Sequence, residues 1–122
     1  MTTGLISAVA VFFAGMGLYA LAAPAALIRP FGITLPRPES RAEVRAVYGG
    51  FGLAMAGVLA YAALNPSGAH AILITVAVAL VGMAVGRLIS AVVDERTAFY
   101  PNWFYFLIEI ALAAALVFAA VL

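Results

Sequence analysis

A chain of 122 residues that is 67% hydrophobic and only 9% charged cannot be an ordinary soluble domain; such domains run at about 45–50% apolar and about 25% charged. A formal net charge of +1, with every basic residue an arginine, excludes a polybasic surface for nucleic acid. The absence of cysteine excludes disulfides, thiolate metal sites and thiol redox chemistry.

The first apolar run covers Leu5 to Ile28, enough for the roughly 20 residues that cross a bilayer core as helix. Ala20-Leu21-Ala22 resembles a signal-cleavage site, but the run is too long and lacks a positively charged leader, so it is expected to stay as a span. Pro24 is expected to bend this span near its end rather than stop it. The connection from Arg29 to Ser40 alternates Pro30, Pro36 and Pro38 with Phe31, Ile33 and Leu35. It is too apolar for a flexible linker and too rich in proline for a helix, which predicts a segment folded back along the membrane surface.

The second run covers Val44 to Leu64, and Ser40 with Glu43 forms a capping-box pattern that starts its helix at Arg41. Asn65-Pro66-Ser67-Gly68 then predicts a tight turn. The third run covers Ala69 to Val93 and the fourth Pro101 to Leu122, with Pro101 suited to a first helical turn. Residues 1–122 therefore read as one all-α domain, an integral membrane bundle of four transmembrane helices over about 5–28, 41–64, 69–93 and 101–122.

Charge sets the expected orientation. Arg29, Arg37, Arg41 and Arg45 lie in or beside the first connection and Arg87 and Arg96 in or beside the third. The positive-inside bias places both connections in the cytoplasm and both termini on the outer side. The aromatic cluster Phe99, Tyr100, Trp103, Phe104, Tyr105 and Phe106 reads as an interfacial anchor.

Charge inside a bilayer is costly, so each such residue needs a partner or a purpose. Arg87 and Glu109 fall at similar depth in the third and fourth spans, and the short third connection makes these spans neighbours; an ion pair follows. Ser90 and Asp94 continue the Arg87 face, Arg45 and Tyr48 with Gly52 form a face of the second span, and Asn102, Tyr105 and Glu109 one of the fourth. These stripes predict a polar cup open to the cytoplasm, with Arg45, Tyr48, Arg87, Ser90, Asp94, Tyr105 and Glu109 as its ligand-binding candidates. The plainer alternative is a satisfied network that only fixes helix register. Gly49 and Gly52 in the second span, and the G-x-x-x-G of Gly82 and Gly86 in the third, read as packing positions within the chain, with dimerisation as the alternative.

No catalytic set, metal site or cofactor motif is visible, and lone His70 is read as solvated. The leading expectation is a non-enzymatic membrane protein that binds a lipid headgroup or small amphiphile, or serves a larger membrane complex or homodimer. A small proton-coupled transporter using Glu109 is the runner-up, and an intramembrane lipid-modifying enzyme using Glu109 or Asp94 stands third.

The run Arg41-Ala42-Glu43-Val44-Arg45-Ala46-Val47-Tyr48-Gly49-Gly50, with Gly86-Arg87-Leu88-Ile89-Ser90, Asp94 and Glu109, resembles the small four-span bacterial membrane proteins of the domain of unknown function 4345 family. The resemblance implies a multi-pass protein of the bacterial inner membrane and no assigned activity. The chain is similar in size to the small multidrug resistance transporters, but its first span lacks the carboxylate they use.

Overall fold

The computed structural model describes residues 1–122 and contains helix and turn with no strand. Four helical segments are long and apolar enough to cross a membrane: Thr2–Ala22, Pro38–Leu64, Pro66–Val93 and Phe99–Val121. Within them lie α1 (Thr2–Ala22), α3 (Pro38–Val44), α4 (Phe51–Leu64), α5 (Ala69–Val93) and α6 (Phe104–Val121), and the short α2 (Pro24–Ile28) falls between the first two segments. Only 22 of 122 residues are buried, and large apolar side chains such as Val11, Val58, Val78 and Leu107 stand on the surface. Water would not tolerate that surface, whereas a bilayer solvates it and the helices satisfy their own backbone groups.

The two ends of the bundle differ. Thr2, Pro66, His70 and Leu122 gather at one end, which carries both termini and the turn between the second and third spans. There His70 Nδ1 lies 3.0 Å from the Ala120 carbonyl and ties the start of α5 to the end of α6. From this end toward the middle runs a close-packed core of Ile6 and Val9 from α1, Leu59 and Ala62 from α4, Leu73, Val76 and Leu80 from α5, and Ala113 and Leu116 from α6. The other end, hereafter the loop end, holds the first and third connections.

Proline chemistry decides several boundaries. Pro24 does more than bend the first span: Ala23 leaves the helical region (φ −141°, ψ 65°), α1 stops, and α2 begins afresh with Pro24 in its first turn. The residue before a proline is pushed out of the α region by its ring, and proline itself suits a helix start. The same rule moves the second span's start forward. Arg37 is extended (φ −124°, ψ 156°), Pro38 opens α3, and no side-chain cap forms, so Ser40 lies inside the helix instead of capping it at Arg41. Glu39 in the first turn supplies the favourable charge toward the helix dipole and pairs with Arg37. In the fourth span Tyr100 is extended (φ −96°, ψ 135°) and a wide π-type turn over Phe99–Trp103 leads into α6, so regular helix begins three residues past Pro101.

α1 and α4 cross where both backbones are bare. A Cβ on Gly17 would sit 2.8 Å from the Gly49 carbonyl oxygen and 2.9 Å from the Leu53 nitrogen. One on Gly52 would meet the Phe13 carbonyl at 3.1 Å. Gly49 and Gly52 are thus packing residues, as expected of small residues between membrane helices. Gly82 and Gly86 are not. Both face outward with no atom within 4 Å of a built Cβ, so the G-x-x-x-G of α5 contributes nothing to association of helices within the chain. Its neighbour α6 instead packs against the face carrying Leu73, Val76, Ala77, Leu80 and Ala84.

Candidate functional site

A cavity of about 610 Å³ occupies the loop-end half of the bundle. Its walls come from all four spans: Phe12, Phe13 and Met16 of α1; Ala46, Val47, Tyr48, Phe51 and Gly52 of the second span; Leu80, Met83 and Arg87 of α5; Tyr105, Ile108, Glu109 and Leu112 of α6. Leu27 and Ile28 of α2 and Phe31 and Ile33 of the first connection complete the lining. That connection therefore does more than lie on the membrane surface, since Phe31 turns inward against Tyr105 and, with Leu27 and Ile28, roofs the cavity. Gly32, with φ 75°, supplies the left-handed turn between Phe31 and Ile33.

Arg87 is fixed from every side. Its Nε donates to Glu109 Oε1 at 2.9 Å and its Nη2 to Oε2 at 3.0 Å, a bidentate pair. Nη1 donates to Asn102 Oδ1 at 3.3 Å. The guanidinium carbon lies 5.7 Å from the ring centroids of both Phe31 and Tyr105, within cation–π range. Those two rings contact each other with centroids 5.6 Å apart. Glu109 is 4% exposed and is the one charged residue buried in the protein, so its bidentate partner is what makes that burial tolerable. Arg87 lies six residues before the end of α5, about 9 Å along the helix axis.

The stripes expected from helical spacing do not all converge. Tyr48, Arg87, Tyr105 and Glu109 line the cavity, but Arg45, Ser90 and Asp94 do not. The second span departs from α geometry: Arg45–Gly50 forms a π-helical turn, whose wider winding breaks the spacing that would keep Arg45 and Tyr48 on one face. Arg45 swings away, and its Nε donates to the Leu21 carbonyl at 3.0 Å. It thereby satisfies a carbonyl that the broken end of α1 leaves without a helical partner. Arg41 acts similarly on the Leu35 carbonyl at 3.3 Å. Ser90 donates to Asp94 at 3.1 Å on the exposed surface at the end of α5. The expected polar cup is in fact an apolar cavity with one neutralised ion pair in its wall.

Sequence reasoning gave too little weight to Asn102 and Phe31. Asn102 stands seven residues before Glu109, two helical turns away on the same face, and that spacing was the available signal. For Phe31 the signal was an aromatic between prolines in a connection too apolar to be solvated. The aromatic cluster at the start of α6 divides: Trp103 packs edge-on against Phe106 and Phe99 against Phe104, while Tyr105 turns into the cavity. At the other end of the bundle, Thr75 bonds its own helix at the Ala71 carbonyl, 2.7 Å away, and so defines no second polar site.

Four apolar spans, an apolar surface and an enclosed ion pair define a multi-pass membrane protein with a cavity inside the bilayer-spanning region. The chain belongs to the domain of unknown function 4345 family, whose model it matches over residues 1–120. No curated protein and no solved structure matches it.

Proposed function

We propose that this protein is a non-enzymatic binder of a membrane amphiphile, whose apolar part fills the loop-end cavity and whose polar group meets Arg87, Tyr48 and Tyr105. The observation that carries this reading is the lining itself. Of 19 residues, only Gly52, Arg87 and Glu109 are not hydrophobic. A volume of about 610 Å³ falls in the range of about 300–1,000 Å³ typical of small-molecule sites. An anionic headgroup fits less well than an uncharged one. Glu109 cancels the charge of Arg87, and Arg45, the second cation an anion would need, serves the end of α1 instead. Arg87 keeps N–H groups beyond the three it gives to Glu109 and Asn102, and these suit a neutral acceptor such as a hydroxyl, ester or ketone oxygen.

The test is thermal unfolding of the protein in amphipol, with amphiphiles of one chain length and different polar ends. A long-chain alcohol is expected to raise Tm more than the matching fatty acid or alkylammonium; ligand at 100 times its Kd stabilises by about 2.7 kcal/mol. Ile108→Trp, which fills the cavity from its α6 wall, should abolish the shift. No shift with any amphiphile, or an equal shift in the filled variant, would refute the reading.

A second reading, a subunit of a larger membrane assembly, is favoured by one observation. Gly82 and Gly86 leave the α5 backbone bare on an outward face, where a helix of another chain could approach closely. The mass of the gently extracted protein decides between a lone chain and an assembly.

A further inference from the structure

The cavity is covered at the loop end by Leu27, Ile28 and Phe31 and is open toward the side. Above it α2 and the first connection form a roof in which Leu27 is 7% and Ile28 4% exposed, with Phe31 laid against Tyr105. Toward the terminal end the close-packed core blocks it, beginning at Leu80, 3% exposed. The open lining residues are Val47 at 50%, Phe51 at 51% and Tyr48 at 37% exposure on the second span, Met83 at 48% on the third, and Ile33 at 48% in the first connection.

The way the helices meet explains the gap. Leu59 and Ala62 of α4 join the common core only near the terminal end. Nearer the loop end the buried positions of the second span are Val44, packed with Ala20 and Leu27, and Gly49 and Gly52, which are held against α1. With its bare face committed to α1, the second span parts from α5 at the level of Phe51 and Met83. These residues lie inside membrane-spanning segments, so what faces the gap is hydrocarbon and not water.

We propose that the cavity is reached sideways from the bilayer, through the gap between Phe51 and Met83, and holds one hydrocarbon chain of a membrane lipid. The proposal rests on the amphiphile reading and adds the occupant's source and route. A chain arriving from the bilayer remains in apolar surroundings throughout its passage, whereas arrival from water at the loop end would have to displace Leu27, Ile28 and Phe31. The occupant's carbonyl or hydroxyl end stops at Arg87, the depth at which the lining first offers hydrogen-bond donors.

Tryptophan quenching by lipid tests this in the whole chain, with Trp103→Phe removing the single native tryptophan. Reporters are placed one at a time at Leu112 and at Met16, both in the inner wall, at Met83 in the gap, and at Leu116 in the fully buried core. Two inner positions guard against one variant failing to fold. In liposomes of phosphatidylcholine brominated along its chains, the Leu112 and Met16 reporters are expected to lose at least half as much fluorescence as Met83→Trp, and the Leu116 reporter little. A tryptophan in the gap would confuse the signal, so in the inner-reporter variants the gap is narrowed with Met83→Phe, which should cut inner quenching severalfold. Two failures are distinct. If inner reporters stay bright in brominated lipid but are quenched by a brominated alcohol, no lipid chain enters through the gap, the proposal is wrong and the amphiphile reading stands. If neither quenches them, the cavity takes no amphiphile and both fail.

Discussion

Removing one member of the Arg87–Glu109 pair is expected to destabilise the bundle by about 3–5 kcal/mol, because the other is left as an unpartnered charge at membrane depth. Glu109→Gln should leave Arg87 with Asn102 and two aromatic faces but no counter-charge. Arg87→Gln should leave the buried Glu109 carboxylate without its bidentate donor. The double variant should recover a substantial part of the loss, since two neutral amides can bond to each other and no orphan charge remains. Unfolding in SDS or by heat, read for the four proteins of the cycle, measures the coupling. Additive losses would show that the pair contributes nothing as a pair, against the bidentate geometry.

The second large effect concerns the crossing of α1 and α4. Gly17→Ala is expected to cost about 1–3 kcal/mol, the usual range for overpacking, because its methyl would press on the backbone at Gly49 and Leu53 and neither can rotate aside. Gly49→Ala should cost less: the atoms it meets first, Leu21 Cδ2 at 2.7 Å and Cγ at 2.9 Å, belong to a side chain that can change rotamer, and the nearest backbone atom stands at 3.4 Å. Gly82→Ala and Gly86→Ala meet no atom within 4 Å and should be neutral or slightly stabilising in the monomer. The same unfolding assay orders the variants. A cost at Gly82 or Gly86 equal to that at Gly17 would show that the bare face of α5 is covered in the membrane.

These two sites also show what could be read before the fold was known. The four spans and the turn at Asn65 to Gly68 were legible because hydrocarbon length and turn chemistry act locally. The Arg87–Glu109 pair was legible because membrane-depth charges must find each other and the short third connection fixes their helices as neighbours. Which way a glycine faces is a property of the bundle, so the G-x-x-x-G of α5 looked the same in sequence as the bare positions of the second span. Helical spacing also failed at Arg45 because it assumes an α-helix throughout, and the π turn of Arg45–Gly50 alters the phase. The cavity left no mark on the sequence beyond bulky aromatics and methionines in each wall. Its existence depends on the second span being drawn to α1 at one level and to the common core at another.

The central claim is that the loop-end cavity holds a membrane amphiphile. Native mass spectrometry of the gently extracted protein beside Ile108→Trp, at matched thermal stability, tests it most directly. The wild type is expected to carry about one bound amphiphile with an uncharged polar end, and Ile108→Trp to carry none. A wild type that emerges bare, or a filled variant that retains the same adduct, would contradict the account and leave the Arg87–Glu109 network as a device for helix register alone.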